Sequence, residues 1–152
     1  MQQQHQMKTD SNLTIFYTDD DVEDLEFFRE ATESLDRHIE LVTLNSGEAL
    51  LDILQNPPPR PHLIFLDINM PGLTGFDVLE KVRKTNNFSK LPVIMFTTSN
   101  DQVIIDRSRN LGASFFVQKS GNFPNLKKSI EFAMSIDWKN HKTTADNFVY
   151  AA

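Results

Sequence analysis

Leu63-Ile64-Phe65-Leu66-Asp67-Ile68-Asn69-Met70-Pro71-Gly72 is the stretch that decides how this chain folds. Four apolar residues run straight into a lone carboxylate, and Pro71-Gly72 follows. A short apolar run closed by turn residues reads as a strand buried on both faces, the kind found inside a parallel sheet. In open α/β sheets the functional edge lies beyond the carboxyl ends of the strands. The pattern predicts Asp67 at that edge, held by a rigid element and open to solvent chemistry.

Working outward, residues 13–18 are rich in β-branched and aromatic side chains and read as a first strand, ending at Asp19-Asp20-Asp21. The period then changes: Val22, Leu25, Phe28, Thr32 and Leu35 fall on one face of a helix. Asp21, Glu23 and Asp24 crowd its first turn, where carboxylates favour the helix dipole. A second strand over 39–44 leads into a helix over 47–54, and the prolines of 57–61 force an extended linker. The third strand covers 63–67, followed by a helix over 76–84 with Val78, Leu79 and Val82 inward.

A fourth strand over 91–97 carries Pro92 at its start, where a missing N–H is harmless. A helix over 101–111 stops at Gly112, and a fifth strand over 114–118 ends at Lys119. The last helix is expected over 124–138, with Leu126, Ile130, Phe132, Ala133 and Ile136 as apolar positions. Strands alternating with helices dictate parallel βαβ crossovers. The expected fold class is α/β: a doubly wound (βα)5, flavodoxin-like three-layer sandwich with strand order 2-1-3-4-5.

The chain has 152 residues, enough for one domain with a real core. We expect a leader without structure over 1–10, the domain over 11–139 and a tail over 140–152. A formal charge of −6 gives no support to nucleic-acid or anionic-membrane binding. There is no cysteine, which excludes disulfides, thiolate metal sites and a thiol nucleophile. No apolar run approaches the roughly 20 residues that span a bilayer, and the first ten residues lack the apolar core of a signal peptide. A cytoplasmic protein is expected.

The strand ends carry Asp19 and Asp20, Asp67, Thr97 and Lys119. Taken singly, each has a plainer use, as a helix cap, a strand end or a solvated lysine. Strand order 2-1-3-4-5 brings them into one crevice. Clustered carboxylates repel one another unless a cation is present. Oxygen ligands without His or Cys suit a hard divalent ion, best Mg²⁺. A carboxylate beside such an ion and a lysine is equipped to attack phosphorus and form an acyl phosphate. Thr97 adds a hydroxyl able to donate to the new phosphoryl group.

With those residues in place, the chain resembles the receiver domain of two-component response regulators (CheY-like), here as a single-domain regulator. The resemblance rests on Thr18-Asp19-Asp20-Asp21, the 66–72 stretch with Gly75, the 91–97 strand, and Leu111-Gly112-Ala113 through Val117-Gln118-Lys119. It implies a phosphorylation-activated switch rather than an enzyme, with Asp67 accepting a phosphoryl group from a histidine kinase or histidine phosphotransfer protein. By the same resemblance Asp20 would bind Mg²⁺ (Mn²⁺ as a substitute) directly, with Asp19, Asp67 and the Asn69 backbone carbonyl completing the site. Thr97 and Lys119 would hold the phosphoryl oxygens, and Phe116 matches the family's aromatic switch position.

Two departures stand out. Lys119 is followed by Ser120 where the family usually has proline, and Thr98 stands where a smaller residue is common, which would narrow access to Asp67. The face of the fourth helix, fifth strand and fifth helix is the family's usual output surface, for an unknown downstream protein or a second copy. Two other readings stay open on the sequence. One is a receiver fold that binds protein without phosphorylation; the other is a small haloacid-dehalogenase-type phosphatase, against which Asn69 stands where that chemistry wants a second Asp.

Overall fold

The computed structural model describes residues 12–151; the expected leader over 1–10 lies outside them. Five parallel strands form one sheet: β1 (Leu13–Thr18), β2 (Ile39–Leu44), β3 (Leu63–Leu66), β4 (Val93–Thr97) and β5 (Phe115–Gln118), in the order β2-β1-β3-β4-β5. Between and after them come α1 (Val22–Glu33), α2 (Gly47–Gln55), α3 (Gly75–Lys84), α4 (Gln102–Asn110) and α5 (Phe123–Ser135). The expected fold class is the one observed.

Strand alternation builds two cores, one on each face. Ile15, Tyr17, Phe65, Ile94, Phe96 and Phe115 pack against Leu25 and Phe28 of α1 and Leu126 and Ile130 of α5. Phe16, Ile64, Leu66, Met95 and Phe116 pack against Leu50 of α2, Val78 and Leu79 of α3 and Ile105 of α4. The central strands are therefore apolar on both sides, which is why they read as unbroken runs. No helix among the described residues is long and apolar enough to cross a membrane.

Three expectations need correction. Val22 does not join the buried face; it is 68% exposed as the first residue of α1, and the apolar stripe begins at Leu25. The last helix stops at Ser135 rather than near Trp138. There the Ser135 hydroxyl donates to the Phe132 carbonyl and the Trp138 indole N–H to that of Ala133, so side chains satisfy the final turn. Phe132 lies half out of the core, stacked at 5.7 Å on Phe115 and 5.4 Å from Tyr150.

The segment after α5 folds back onto the sheet. The Thr143 hydroxyl donates to the Ser114 carbonyl. Further on, the Phe116 N–H donates to Phe148 and the Tyr150 N–H to Phe116, at 2.9 and 2.8 Å, making one parallel rung beside β5. Phe148 is 1% exposed and joins the core next to Phe116, with ring centroids 6.2 Å apart.

Candidate functional site

Register delivers the site. The last paired residues of β1 and β3 are Thr18 and Leu66, so Asp19 and Asp67 stand side by side one step beyond. The Asp67 N–H donates to the Thr18 carbonyl at 2.9 Å, which fixes that step. At the other strands the Lys119 N–H donates to the Thr97 carbonyl at 2.7 Å. All of these residues hang from the carboxyl edge, as the strand order required.

Helix starts shape the same edge. Asp21 caps α1 by accepting from the N–H groups of Glu23 and Asp24. Thr74 and Asp77 form a reciprocal capping box at the start of α3. Gly75, in the first turn of α3, lies directly under the phosphoacceptor candidate: a Cβ there would come within 2.4 Å of the Asp67 carbonyl oxygen. Only the missing side chain lets helix and loop approach so closely.

One carboxylate oxygen each from Asp19, Asp20 and Asp67 lies within 4.8 Å of the others. Asp19 and Asp67 are buried and Asp20 is exposed. Lys119 reaches into the cluster: its ammonium is 2.7 Å from Asp19, 2.8 Å from Asp24 and 3.3 Å from Asp67. One cation against these acids leaves excess negative charge in a confined space. An all-oxygen donor set of that charge fits a hard divalent cation.

The electrostatics follow from burial. Burial, then the Asp19 charge, push the Asp67 carboxyl up to about 6, against the opposing pull of Lys119. Burial works against the Lys119 ammonium, yet hydrogen bonds to Asp19 and Asp24 and the Asp67 charge outweigh it and hold its pKa above the usual lysine value. Tyr17 donates its phenol to Asp19, and burial with the Asp19 charge keeps that phenol neutral by raising its pKa. The result is a carboxyl at Asp67 raised toward neutrality beside a lysine held charged and near a phenol held as a donor.

The other residues singled out above fall into place unevenly. Thr97 is buried at the end of β4, and its hydroxyl accepts weakly from the Ser99 N–H at 3.4 Å. Thr98 is exposed, with its carbonyl accepting from Gln118. Asn69 is exposed in the loop after β3. Ser120 accepts from the Asn122 N–H, so a side-chain turn stands where the family usually has proline. Phe116 is fully buried beneath Phe148.

Two members of the site were not anticipated. Asp24 reads from sequence as a helix-dipole acid, but its place in the first turn of α1 also lets it pair with Lys119. Tyr17 reads as an ordinary core aromatic. Its strand places the ring in the core and the phenol at the acidic edge, and a tyrosine two residues before an acidic pair at a strand end is the signal that could have found it.

Comparisons with known proteins bear on the family and the fold. A family model described as the response regulator receiver domain matches residues 15–131. The response regulator Rcp1 of Synechocystis sp. is 29% identical over 132 residues, covering 82% of this chain and 90% of that protein. The crystal structure of the phosphorylated cyanobacterial phytochrome response regulator RcpA matches with a TM-score of 0.76 and 25% identity, over 88% of this chain and 98% of that one. The Mn²⁺-bound form of Rcp1 matches with a TM-score of 0.72 and 27% identity, over 88% and 99%. By contrast, the chain spans 56% and 45% of the length of the Arabidopsis thaliana two-component response regulators ARR16 and ARR17.

Proposed function

The chain belongs to the response regulator receiver domain family, the phosphorylation-activated switches of two-component signalling, and from that premise we propose that Asp67 is its phosphoacceptor. The observation that carries the assignment is the Asp19–Asp20–Asp67 cluster, within 4.8 Å, with the Lys119 ammonium 3.3 Å from Asp67.

In the proposed reaction an Asp67 carboxylate oxygen attacks the phosphorus of a phosphohistidine on a sensor kinase or phosphotransfer protein. The new O–P bond forms as the N–P bond breaks, and the imidazole leaves with the electron pair. In-line transfer of this kind asks mainly for position and charge neutralisation. Asp19, Asp20 and Asp67, with the Asn69 carbonyl, would hold Mg²⁺ (or Mn²⁺), which offsets charge on the transferring oxygens. Lys119 is tethered to Asp19 and Asp24 within reach of the same oxygens. Thr97 offers its hydroxyl from the end of β4, and Thr98, at the exposed rim, limits the approach.

An aspartyl phosphate adds about −1.5 to −2 charge and strong acceptors at one point. That favours the conformer with Thr97 and Lys119 drawn toward Asp67. Phe116, on the neighbouring strand, is the residue whose packing would change with Thr97. The chemistry is a single self-modification rather than turnover of substrate, in keeping with a cytoplasmic signalling role. The α4–β5–α5 face is the proposed output surface, toward a downstream protein or a second copy. Tyr150 borders that surface, lying on Phe115 and Phe132, while Phe148 is buried beneath it against Phe116.

The deciding experiment is intact-mass analysis after incubation with Mg²⁺ and acetyl phosphate. One phosphoryl adduct is expected, absent from Asp67→Asn and absent when EDTA replaces Mg²⁺. No adduct, under conditions that label a control receiver, would favour the phosphorylation-independent binding module.

A further inference from the structure

At the end of the sheet away from Asp67, a cleft of about 780 Å³ opens near the starts of β4 and β5. Its walls come from the last turn of α3 and the stretch after it, the last turn of α4 and the turn that follows, and the segment after α5. Arg83, Lys90, Arg109, Lys139 and Lys142 line it together with His141, and no Asp or Glu does. The whole chain carries 21 acidic residues against 15 Lys and Arg. Five of those cations gathered with a single acid at the border, Asp137 bonded to Asn140, make the cleft locally positive. Among the described residues none of the five is in an ion pair.

Helix ends explain only part of this. The C-termini of α3 and α4 each present roughly half a negative charge, so together they offset about one cation of the five.

Arg83 shows that the cleft is built rather than merely decorated. Its guanidinium donates to the Gly112 carbonyl at 2.8 Å, the Phe88 carbonyl at 3.0 Å and the Ser114 hydroxyl at 3.3 Å. All three acceptors are neutral, and a guanidinium has five N–H groups. The charge is therefore fixed in place, half-buried, and without an acidic partner; burial pushes its pKa down to about 10. Buried charges are ordinarily paired. Nearby, the His141 Nε2 is buried without a hydrogen-bond partner, its ring centroid 5.0 Å from that of Trp138.

We propose that this cleft binds a small molecule carrying two or more phosphate groups, with Arg83 as the fixed anchor and Lys139 and Lys142 closing over it. The cavity is of the size that encloses such ligands, whose sites run to roughly 300–1,000 Å³. Several cations without an extended apolar wall select a compact polyanion over a peptide that needs hydrophobic anchors. Because residues 138–143 supply two of the five cations, Lys139 and Lys142, ligand binding also secures the segment that lies against β5.

Trp138 is the only tryptophan in the chain and lines the cleft, so it reports occupancy. The full chain, in EDTA so that no metal-bridged phosphate reaches Asp67, is titrated with sodium tripolyphosphate while Trp138 fluorescence and binding heat are followed. Saturable binding is expected at or below millimolar concentration, about tenfold tighter than to citrate at matched ionic strength. The double variant Lys139→Gln/Lys142→Gln and, separately, Arg109→Gln should each weaken it by about tenfold or more, while still labelling at Asp67 with acetyl phosphate. Pyrophosphate and adenosine diphosphate, compared side by side, separate inorganic from nucleotide sources; tighter binding of either fits the proposal. Non-saturable heat, equal affinity for citrate, or unchanged affinity in folded variants would overturn it.

Discussion

At Asp67 function and stability pull in opposite directions. Burial and the Asp19 charge hold its carboxyl near 6, whereas an unfolded aspartate titrates near ~3.9. Between those values the folded chain holds more protons than the unfolded one. Stability therefore falls as pH rises through that window and stays lost above it. In EDTA at neutral pH, Asp67→Asn should raise the melting temperature by about 3 °C, reflecting roughly 1 kcal/mol after allowing for solvent at the mouth of the site. The gain should shrink as the pH is taken down toward 4, which thermal unfolding followed by circular dichroism would read. Gly75 makes a second residue-scale case. A Cβ there meets the Asp67 oxygen at 2.4 Å and the Ile68 Cα at 2.7 Å, both backbone atoms that cannot step aside. Gly75→Ala should cost about 1–3 kcal/mol in a urea melt and slow labelling of Asp67. Gly121→Ala, with nothing within 4 Å, is the neutral control.

At the scale of elements, the tail beside β5 is the contact that can be tested most sharply. Phe148 is buried like any core aromatic, and truncating such a ring ordinarily costs about 3–5 kcal/mol. This tail, however, is held only by one rung, the Thr143–Ser114 hydrogen bond and the rings of Phe148 and Tyr150. It can leave while the sheet stays folded, so the cost is capped by the free energy of docking. Phe148→Ala should therefore leave the global urea midpoint little changed but accelerate hydrogen exchange at the Phe116 and Tyr150 amides, which donate across that rung. The same element shows where sequence reading stops. Strands such as Leu63–Leu66 were legible because burial on both faces leaves an unbroken apolar run, and the site was legible because chemistry collects at strand ends. Phe148-Val149-Tyr150 has neither period nor length; its structure comes from the partner strand. Asp24 and Tyr17 were missed for a related reason: their partners are fixed by how strands and helices meet, Lys119 lying 95 positions from Asp24.

For the molecule as a whole, the two ends of the sheet carry opposite fields, acids around Asp67 and cations around Arg83. Raising ionic strength should weaken phosphate binding at the basic end more than it weakens the buried Lys119 pairs, because exposed charges are screened within about 10 Å in 0.1 M salt. Paired titrations at low and high salt, read by Trp138 fluorescence and by labelling of Asp67, would show the two ends responding separately. Residues 148–150 matter on this scale too. Without them β5 would present the run Phe115-Phe116-Val117 along an open margin, short, apolar and free of charge. Such margins recruit their own kind into stacked, insoluble assemblies. The rung at Phe116 thus acts as a solubility guard: trimming the chain before residue 144 should turn a monodisperse preparation into one whose light scattering grows with concentration and time.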